Sequence, residues 1–287
     1  MAIVRERWEL RVRNGDAPEP ELLASGRMLG HITQIKLDGD DPVLARLIAQ
    51  HRARKSAGKS GLISQAIITR RYSVDELRRA TLFHLLWTKM FAAVGAETGT
   101  IYDRTDACPL CEAGPTQVGP LRLRRSDMPL RYDAAFTQSR AERVVNERVA
   151  GIIASEGLTG VECRPVDFST SRKQDGPAWY QLVVTGPRLA FVPPSRFADD
   201  MLDGGDDVRC PAGHVAGNVL TTEAYVRLPD APHADVMESE QFLGWANGHI
   251  LPVRMIFVSP RFREAMLREK IRGWDYEVAH VEAPSSP

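Results

Sequence analysis

Two short stretches, Cys108-Pro109-Leu110-Cys111 and Cys210-Pro211-Ala212-Gly213-His214, hold three of the four cysteines in the chain. We refer to residues 108–111 as the first hook and to residues 210–214 as the second hook; each offers two soft or borderline metal ligands. Zinc takes four such ligands in a tetrahedron, and a site of three cysteines and one histidine leaves no position for a substrate. The spacing therefore predicts a structural Zn²⁺ site that joins two distant segments, with the ligands Cys108, Cys111, Cys210 and His214.

Two other interpretations of the cysteines remain open from the sequence. A redox pair of the thioredoxin type places its CxxC motif at the start of a helix, where the helix dipole lowers the thiol pKa. Gly114-Pro115 follows the first hook closely and disfavours a helix there. Alternatively, the cysteines are unrelated buried thiols, which is the interpretation that we adopt for Cys163, alone in a predicted strand.

The composition is that of a globular protein. The chain has 287 residues, of which 43% are hydrophobic and 26% charged, which excludes a disordered or fibrous chain. Four cysteines are too few for a disulfide scaffold, and no apolar run at the start has the length of an export signal. No run elsewhere approaches the roughly 20 apolar residues of a membrane helix. These features predict a cytoplasmic protein with reduced thiols that does not associate with membranes.

The net charge of zero, from 37 basic and 37 acidic residues, excludes a uniformly basic nucleic-acid binder. However, this balance conceals two opposed stretches. Residues 42–71 contain seven basic residues and no acid, whereas residues 199–240 contain ten acids and only two basic residues. Such asymmetry is typical of interaction surfaces, although solvated faces, or two patches that face each other, would produce it as well.

Periodicity and capping signals predict an α+β fold with mixed sheets, a few helices and an embedded pair of zinc-ribbon-like knuckles. Residues 3–13 and 29–37 are predicted as strands, and Asp41-Pro42 predicts a helix that ends near Gly58. Ser73 and Glu76 form a capping box, and the apolar spacing after it predicts a long helix to about Gly95. Elements predicted further along are helices over residues 139–155 and 259–270 and strands over residues 161–168, 179–184, 253–258 and 274–281.

The predicted organisation has two regions. Residues 1–72 form a strand-rich N-terminal region, and residues 73–287 form the α+β region that carries the zinc knuckles. Because a single core can serve a chain of this length, we expect the two regions to fold as one cooperative unit. No internal repeat of fixed period divides the chain further.

The sequence contains no recognisable catalytic motif. Ala57-Gly58-Lys59-Ser60 is similar to the end of a phosphate-binding loop, but Ala53 stands where that motif needs its first glycine. No nucleophile elbow, HExxH pair or dinucleotide glycine fingerprint is present. His233 and His249 could serve a metallo-hydrolase together with nearby acids, but nothing in their spacing selects them. Catalysis is therefore left open, and a non-catalytic function is favoured.

The two hooks occur in a recognisable order with other short motifs, namely Asn146-Glu147-Arg148, Gly273-Trp274 and residues 157–161, 164–166 and 179–182. Over residues 70–282 this order resembles the double-CxxCG proteins, a family of paralogues from myxobacteria and their relatives. The resemblance implies a bacterial protein, and some members of that family act as immunity proteins that neutralise a toxin delivered by kin. Two positions depart from the family pattern: Glu112 replaces the glycine after the first hook, and His214 replaces a second cysteine.

From the residues and the resemblance together we expect a non-catalytic, zinc-containing binding protein, namely an immunity protein that neutralises a partner toxin. Many nuclease toxins are basic, so the acidic stretch is the expected partner-binding surface. The nominated residues are Asp199, Asp200, Asp203, Asp206 and Asp207. The alternative is a zinc-containing nucleic-acid-binding protein that uses the basic stretch, residues 46–71.

Overall fold

The computed structural model describes residues 5–16, 19–168, 176–199, 201–202, 209–230 and 234–282. Within these ranges the chain is a mixed α+β protein with few helices and several sheets, which confirms the predicted α+β class, whereas the zinc-ribbon-like knuckles stay a prediction. The chain divides into two compact units, Met1–Arg79 with Ala198–Gly205, and Ala80–Phe197 with Asp206–Pro287. In this division the short segment Ala198–Gly205 belongs to the first unit. The predicted regions, residues 1–72 and 73–287, do not include this exchange.

The first unit is a four-stranded antiparallel sheet with a helix packed on it. Its strands are β1 (Arg5–Arg13), β2 (Arg27–Leu29), β3 (Ile32–Asp38) and β4 (Ile63–Arg71), arranged in the order β2-β3-β1-β4. Leu10 of β1 packs in one core with Leu44 and Leu47 of helix α1 (Pro42–Ser56). The predicted cap of this helix is confirmed, because the Asp41 carboxylate accepts the N–H of Val43 at 2.8 Å.

The capping box at Ser73 is confirmed, but the long helix predicted after it is wrong. Ser73 Oγ accepts the N–H of Glu76 at 3.2 Å, and Glu76 Oε2 accepts the N–H of Ser73 at 2.6 Å. The resulting helix α2 spans only Val74–Arg79, and the apolar residues that follow form strand β5, Leu82–Trp87. A short apolar run suits either a helix or a fully buried strand, and pairing with strands distant in the sequence decides for the strand.

Two further predicted elements are divided in the structure. The helix predicted over residues 139–155 is a strand at Arg143–Asn146 and a helix only at Glu147–Ser155. Val144 and Val145, which precede this helix, are fully buried and β-branched, and such residues favour pairing in a sheet. The strand predicted over residues 29–37 is split into two, since Gly30 turns the chain with a φ of +66°.

The remaining elements follow in chain order. The strands are β6 (Met90–Phe91), β7 (Ile101–Asp103), β8 (Thr116–Val118), β9 (Ala134–Thr137), β10 (Arg143–Asn146), β11 (Val161–Pro165), β12 (Trp179–Val184), β13 (Arg188–Phe191), β14 (Phe197–Ala198), β15 (Val215–Gly217), β16 (Val219–Leu220), β17 (Ala224–Arg227), β18 (Val236–Leu243), β19 (Val253–Val258) and β20 (Trp274–Val281). The helices are α3 (Glu147–Ser155) and α4 (Pro260–Arg268). The four strands and the helix predicted after residue 160 are confirmed, with small differences at their ends. Among the described residues, no helix has the length and apolar character needed to cross a membrane.

Six strands of the second unit close into a barrel. Their order is β13-β17-β20-β5-β19-β18, and a parallel pairing of β13 with β18, with Arg188 opposite Glu238, completes the ring. Apolar side chains fill the interior, and Leu189, Val226 and Phe257 are among those that are fully buried. β15 extends the sheet beyond β18, and a separate five-stranded sheet has the order β11-β12-β10-β9-β6.

Gly273 lies where the backbone leaves no room for a side chain. Its φ is +128°, and a Cβ atom built on it would lie 1.9 Å from the carbonyl oxygen of Ala134.

We expect Gly273→Ala to lower the free energy of unfolding by roughly 2 kcal/mol or more, because the backbone must shift. The matched control is Gly151→Ala in α3, where nothing lies within 4 Å; it should be neutral or stabilising by up to about 1 kcal/mol. Urea unfolding checks both variants, and equal midpoints would contradict this close approach.

Candidate metal centre

The two hooks come from different parts of the second unit. The first hook lies in the loop between β7 and β8, an antiparallel pair in which Asp103 is opposite Thr116. The second hook runs directly into β15, where Val215 is paired with Phe242 of β18. The His214 carbonyl also accepts the N–H of Phe242 at 2.8 Å, so the second hook is anchored on a strand of the barrel.

The backbone of each hook closes on itself in a similar way. The N–H of Cys108 donates to the carbonyl of Ala113 at 3.0 Å, and the N–H of Cys210 donates to the carbonyl of Val215 at 3.3 Å. In both cases the acceptor lies five residues further along the chain. Gly213 supports the turn of the second hook, with a φ of +79° and an N–H that donates to the Cys210 carbonyl at 2.8 Å. Two loops of different sequence thus present their cysteines from the same kind of tight turn.

The structure brings all four predicted ligands together. Cys108 Sγ lies 3.8 Å from Cys210 Sγ, and Cys210 Sγ lies 3.8 Å from His214 Nδ1. The ligand atoms of these residues and of Cys111 all lie within 4.8 Å of one another. A tetrahedral site with bonds of about 2.0–2.3 Å has ligand atoms roughly 3.6–3.8 Å apart, so this cluster could hold a metal ion. A disulfide would need about 2.05 Å between sulfurs, and the cysteines are free thiols.

The inner side of the cluster is buried and its outer side is exposed. The first cysteine of each hook is buried, Cys111 is partly buried, and His214 is exposed. A small apolar group of Ala113, Val215 and Phe242 packs around the sulfurs. Phe242 is absent from the residues predicted for the site, and no local signal marks it, because it reaches the cluster only through the pairing of β15 with β18.

Backbone donors and burial act in opposite directions on two of the thiols. The N–H groups of Leu110 and Cys111 are hydrogen-bonded to the Cys108 sulfur and lower the pKa of its thiol to about 6. Burial, together with the neighbouring sulfurs of Cys108 and Cys210, raises the pKa of the Cys111 thiol to about 12. Sulfurs this close cannot all ionise against their mutual repulsion unless a cation lies among them. The cluster is therefore suited to a cation.

Glu112 adopts the backbone conformation that glycine favours. Its φ is +53°, in the left-handed region that residues with a Cβ atom adopt at a cost. Its N–H donates to the Cys108 carbonyl at 2.8 Å, and its carboxylate pairs with Arg104 Nη1 at 2.9 Å. Glu112 therefore adopts this conformation at a steric cost that glycine would not carry.

Other residues considered for metal chemistry do not join the cluster. Cys163 lies in β11, partly buried, and burial raises the pKa of its thiol to about 11. His249 Nε2 lies 3.1 Å from Glu97 Oε1 on an exposed part of the chain, and His233 lies outside the described residues. In the part of the chain that the structure describes, the two hooks form the one group of Cys, His, Asp or Glu residues that could hold a metal ion.

Several acids of the stretch 199–240 have partners inside the protein. Asp235 is buried and accepts the hydroxyl of Ser259 at 2.7 Å, and Glu223 lies 2.7 Å from His280 Nε2. Among the nominated partner-binding residues, Asp199 is partly buried. The nominated residues that lie outside the described part of the chain are Asp200, Asp203, Asp206 and Asp207. The linear count of ten acids thus overstates the free negative charge of this stretch, and the partner surface stays a prediction.

The basic stretch 46–71 also has partners within its own unit. Arg70 is buried, and its Nε lies 3.1 Å from Glu6 Oε1. Arg46 pairs with Glu19. The acidic partners of Arg46 and Arg70 reduce the positive charge available to phosphates. Nucleic-acid binding by this stretch stays a prediction.

Comparisons with known proteins do not assign the chain to a family. No model of a known protein family matches the chain, and no curated protein matches it in sequence. The resemblance to the double-CxxCG proteins therefore stays a prediction that rests on the motifs quoted for it. The candidate metal centre is supported by its own geometry.

Replacing Glu112 tests the strain in the first hook. We expect Glu112→Gly to be more stable than Glu112→Ala by about 1 kcal/mol, because glycine adopts a positive φ without steric cost. Alanine is the matched control, since both variants lose the exposed ion pair with Arg104, which contributes about 0–1 kcal/mol. Thermal unfolding at pH 7 provides the measurement. An alanine variant as stable as the glycine variant would show that this position is not strained.

Proposed function

We propose that the cluster holds one structural Zn²⁺ ion and that the protein is a non-catalytic binding protein. The proposal of a metal rests on two distances of 3.8 Å. One separates Cys108 Sγ from Cys210 Sγ, and the other separates Cys210 Sγ from His214 Nδ1. Three thiolates and an imidazole suit zinc, whereas Mg²⁺ and Ca²⁺ prefer oxygen ligands. Four protein ligands complete a tetrahedral shell, so the ion stabilises the fold and takes no part in a reaction.

In this proposal the hooks act as a pair of zinc-ribbon-like knuckles. The backbone N–H groups that are hydrogen-bonded to the Cys108 sulfur support this role, because they favour the thiolate, the form that binds zinc. β7 and β8 have three residues each, which is too short for a ribbon to be stable alone. The ion links this ribbon to β15 at a place where only a small apolar group is buried.

The binding role rests on the resemblance and on charge. We propose an immunity protein that neutralises a basic toxin, with the nominated aspartates as its contact surface. Residues 199–207 carry five aspartates in nine positions, and this density of charge favours a basic partner. Opposed potentials accelerate association and discriminate between partners. Zinc contributes indirectly, by stabilising the second unit, which contains both hooks.

Metal analysis tests the zinc centre. We expect the purified full chain to carry about one zinc ion and a chelator to lower its thermal midpoint, because zinc binds the folded state. His214→Cys should retain the ion, since it supplies a fourth thiolate, whereas His214→Ala should lose most of it. Cys163→Ala, outside the cluster, is the control and should retain zinc. Zinc-free protein from a purification without chelator, or full zinc content in His214→Ala, would overturn the assignment.

Co-expression with neighbouring genes tests the partner. We expect a toxin gene beside this one whose expression stops growth, and co-expression of this protein should restore growth.

Asp203→Asn with Asp206→Asn should weaken the complex and its salt dependence, because two charges are lost from the proposed contact surface. Asp38→Asn with Asp40→Asn, a matched loss of two exposed acids, should bind like the native protein. Calorimetry over a salt series measures both, and equal affinities would exclude the acidic surface.

A further inference from the structure

A polar cavity of about 470 Å³ lies in the second unit, next to the first hook. Strands β8, β12, β18 and β19 contribute to its walls, together with Gly114 and Pro115. The volume falls in the range of small-molecule sites, roughly 300–1,000 Å³. Its charge is distinctive. Among the described residues that line it there are three arginines and a single carboxylate, namely Arg143, Arg188, Arg254 and Glu238.

Two of the arginines share the carboxylate. Glu238 Oε1 lies 3.1 Å from Arg188 Nε and 3.3 Å from Arg254 Nε. Arg254 Nη1 also donates to the Ser239 carbonyl at 2.8 Å, and its guanidinium lies 3.9 Å from the ring centroid of Phe242. Because guanidinium groups stay charged at neutral pH, the lining residues carry a net charge of about +2.

Arg143 is the cation of the cavity that lacks a carboxylate of its own. Its Nη2 donates to the carbonyl of Arg254, and among the described residues the one carboxylate of the cavity is paired with the other two arginines. Burial lowers the pKa of Arg143 to about 10, which leaves the side chain protonated at pH 7. Glu238 favours the charged form of Arg143, but this carboxylate is already paired with Arg188 and Arg254, so an anion bound in the cavity would offset the remaining cost of desolvation.

We propose that this cavity binds a small molecule that carries an oxyanion, a phosphate or carboxylate group, with Arg143 and Arg188 as its principal partners. Hydrogen bonds between arginine and an oxyanion are charge-assisted and often bidentate. Gln117 and Gln181 line the same cavity and are hydrogen-bonded to each other at 3.0 and 2.7 Å. Their amides can donate to or accept from the uncharged part of the ligand. None of the four predicted metal ligands lines this cavity, so the variants that test it leave the zinc ligands unchanged.

Isothermal titration calorimetry of the full chain as purified tests the proposal, with inorganic phosphate, AMP and citrate as probes at constant ionic strength. We expect saturable binding of at least one probe, and the preference for the phosphates or for citrate identifies the anion. Arg188→Gln should weaken binding about tenfold or more, because it removes one charge-assisted pair. Glu238→Gln should strengthen binding, because it removes the competing carboxylate.

Arg164→Gln is the matched control and should bind like the native protein. The Arg164 side chain is 57% exposed, against 58% for Arg188, and pairs with Glu162, away from the residues that line the cavity. The opposite effects expected at Arg188 and Glu238 distinguish a binding site from a simple loss of stability, which would change both variants in the same direction. The absence of saturable binding for every probe at millimolar concentration, or native affinity in Arg188→Gln, would overturn the proposal.

Discussion

Three sulfur atoms and one imidazole nitrogen lie within 4.8 Å of one another. The contact between the two hooks depends on how the electrostatic repulsion among these atoms is reduced. Cys108 and Cys210 are 102 positions apart in the sequence, yet their sulfurs are separated by 3.8 Å. Thiolates at this distance repel each other, so the arrangement is stable either as protonated thiols or around a cation. The proposed cation would convert the repulsion into attraction and hold the β7–β8 ribbon against β15, where the apolar group around Phe242 is small.

One strand of the barrel connects the candidate metal centre to the charged cavity. Phe242, near the end of β18, contacts the sulfur cluster and stacks on the guanidinium of Arg254. Glu238, earlier on β18, binds the side chains of Arg188 and Arg254 in the cavity. The position of β18 is itself determined by its pairing with β13 and β19, which closes the barrel. The two candidate sites thus share a wall, although their chemistry is different.

Much of the local structure could be predicted because its causes are local. The caps at Asp41, Ser73 and Ser259 are all formed, and each depends on a side chain and an N–H two or three residues away. The metal ligands could be predicted for the same reason, since each hook is a short pattern of ligand types. The extent of the helix after Ser73 could not be predicted, because the apolar run at Leu82–Trp87 suits a helix as well as a buried strand.

By itself, the sequence determined the ligand types of the candidate metal centre, the starts of α1, α2 and α4 and the α+β class, because these depend on residue chemistry over a few positions. Only the tertiary structure decided that the hooks converge, that Asp235 pairs with Arg261 and Arg70 with Glu6, and that Arg143, Arg188 and Arg254 line one cavity with the carboxylate of Glu238. The free energy of a charge depends on burial and on neighbours that come from distant parts of the chain, so a linear count of charges cannot supply it.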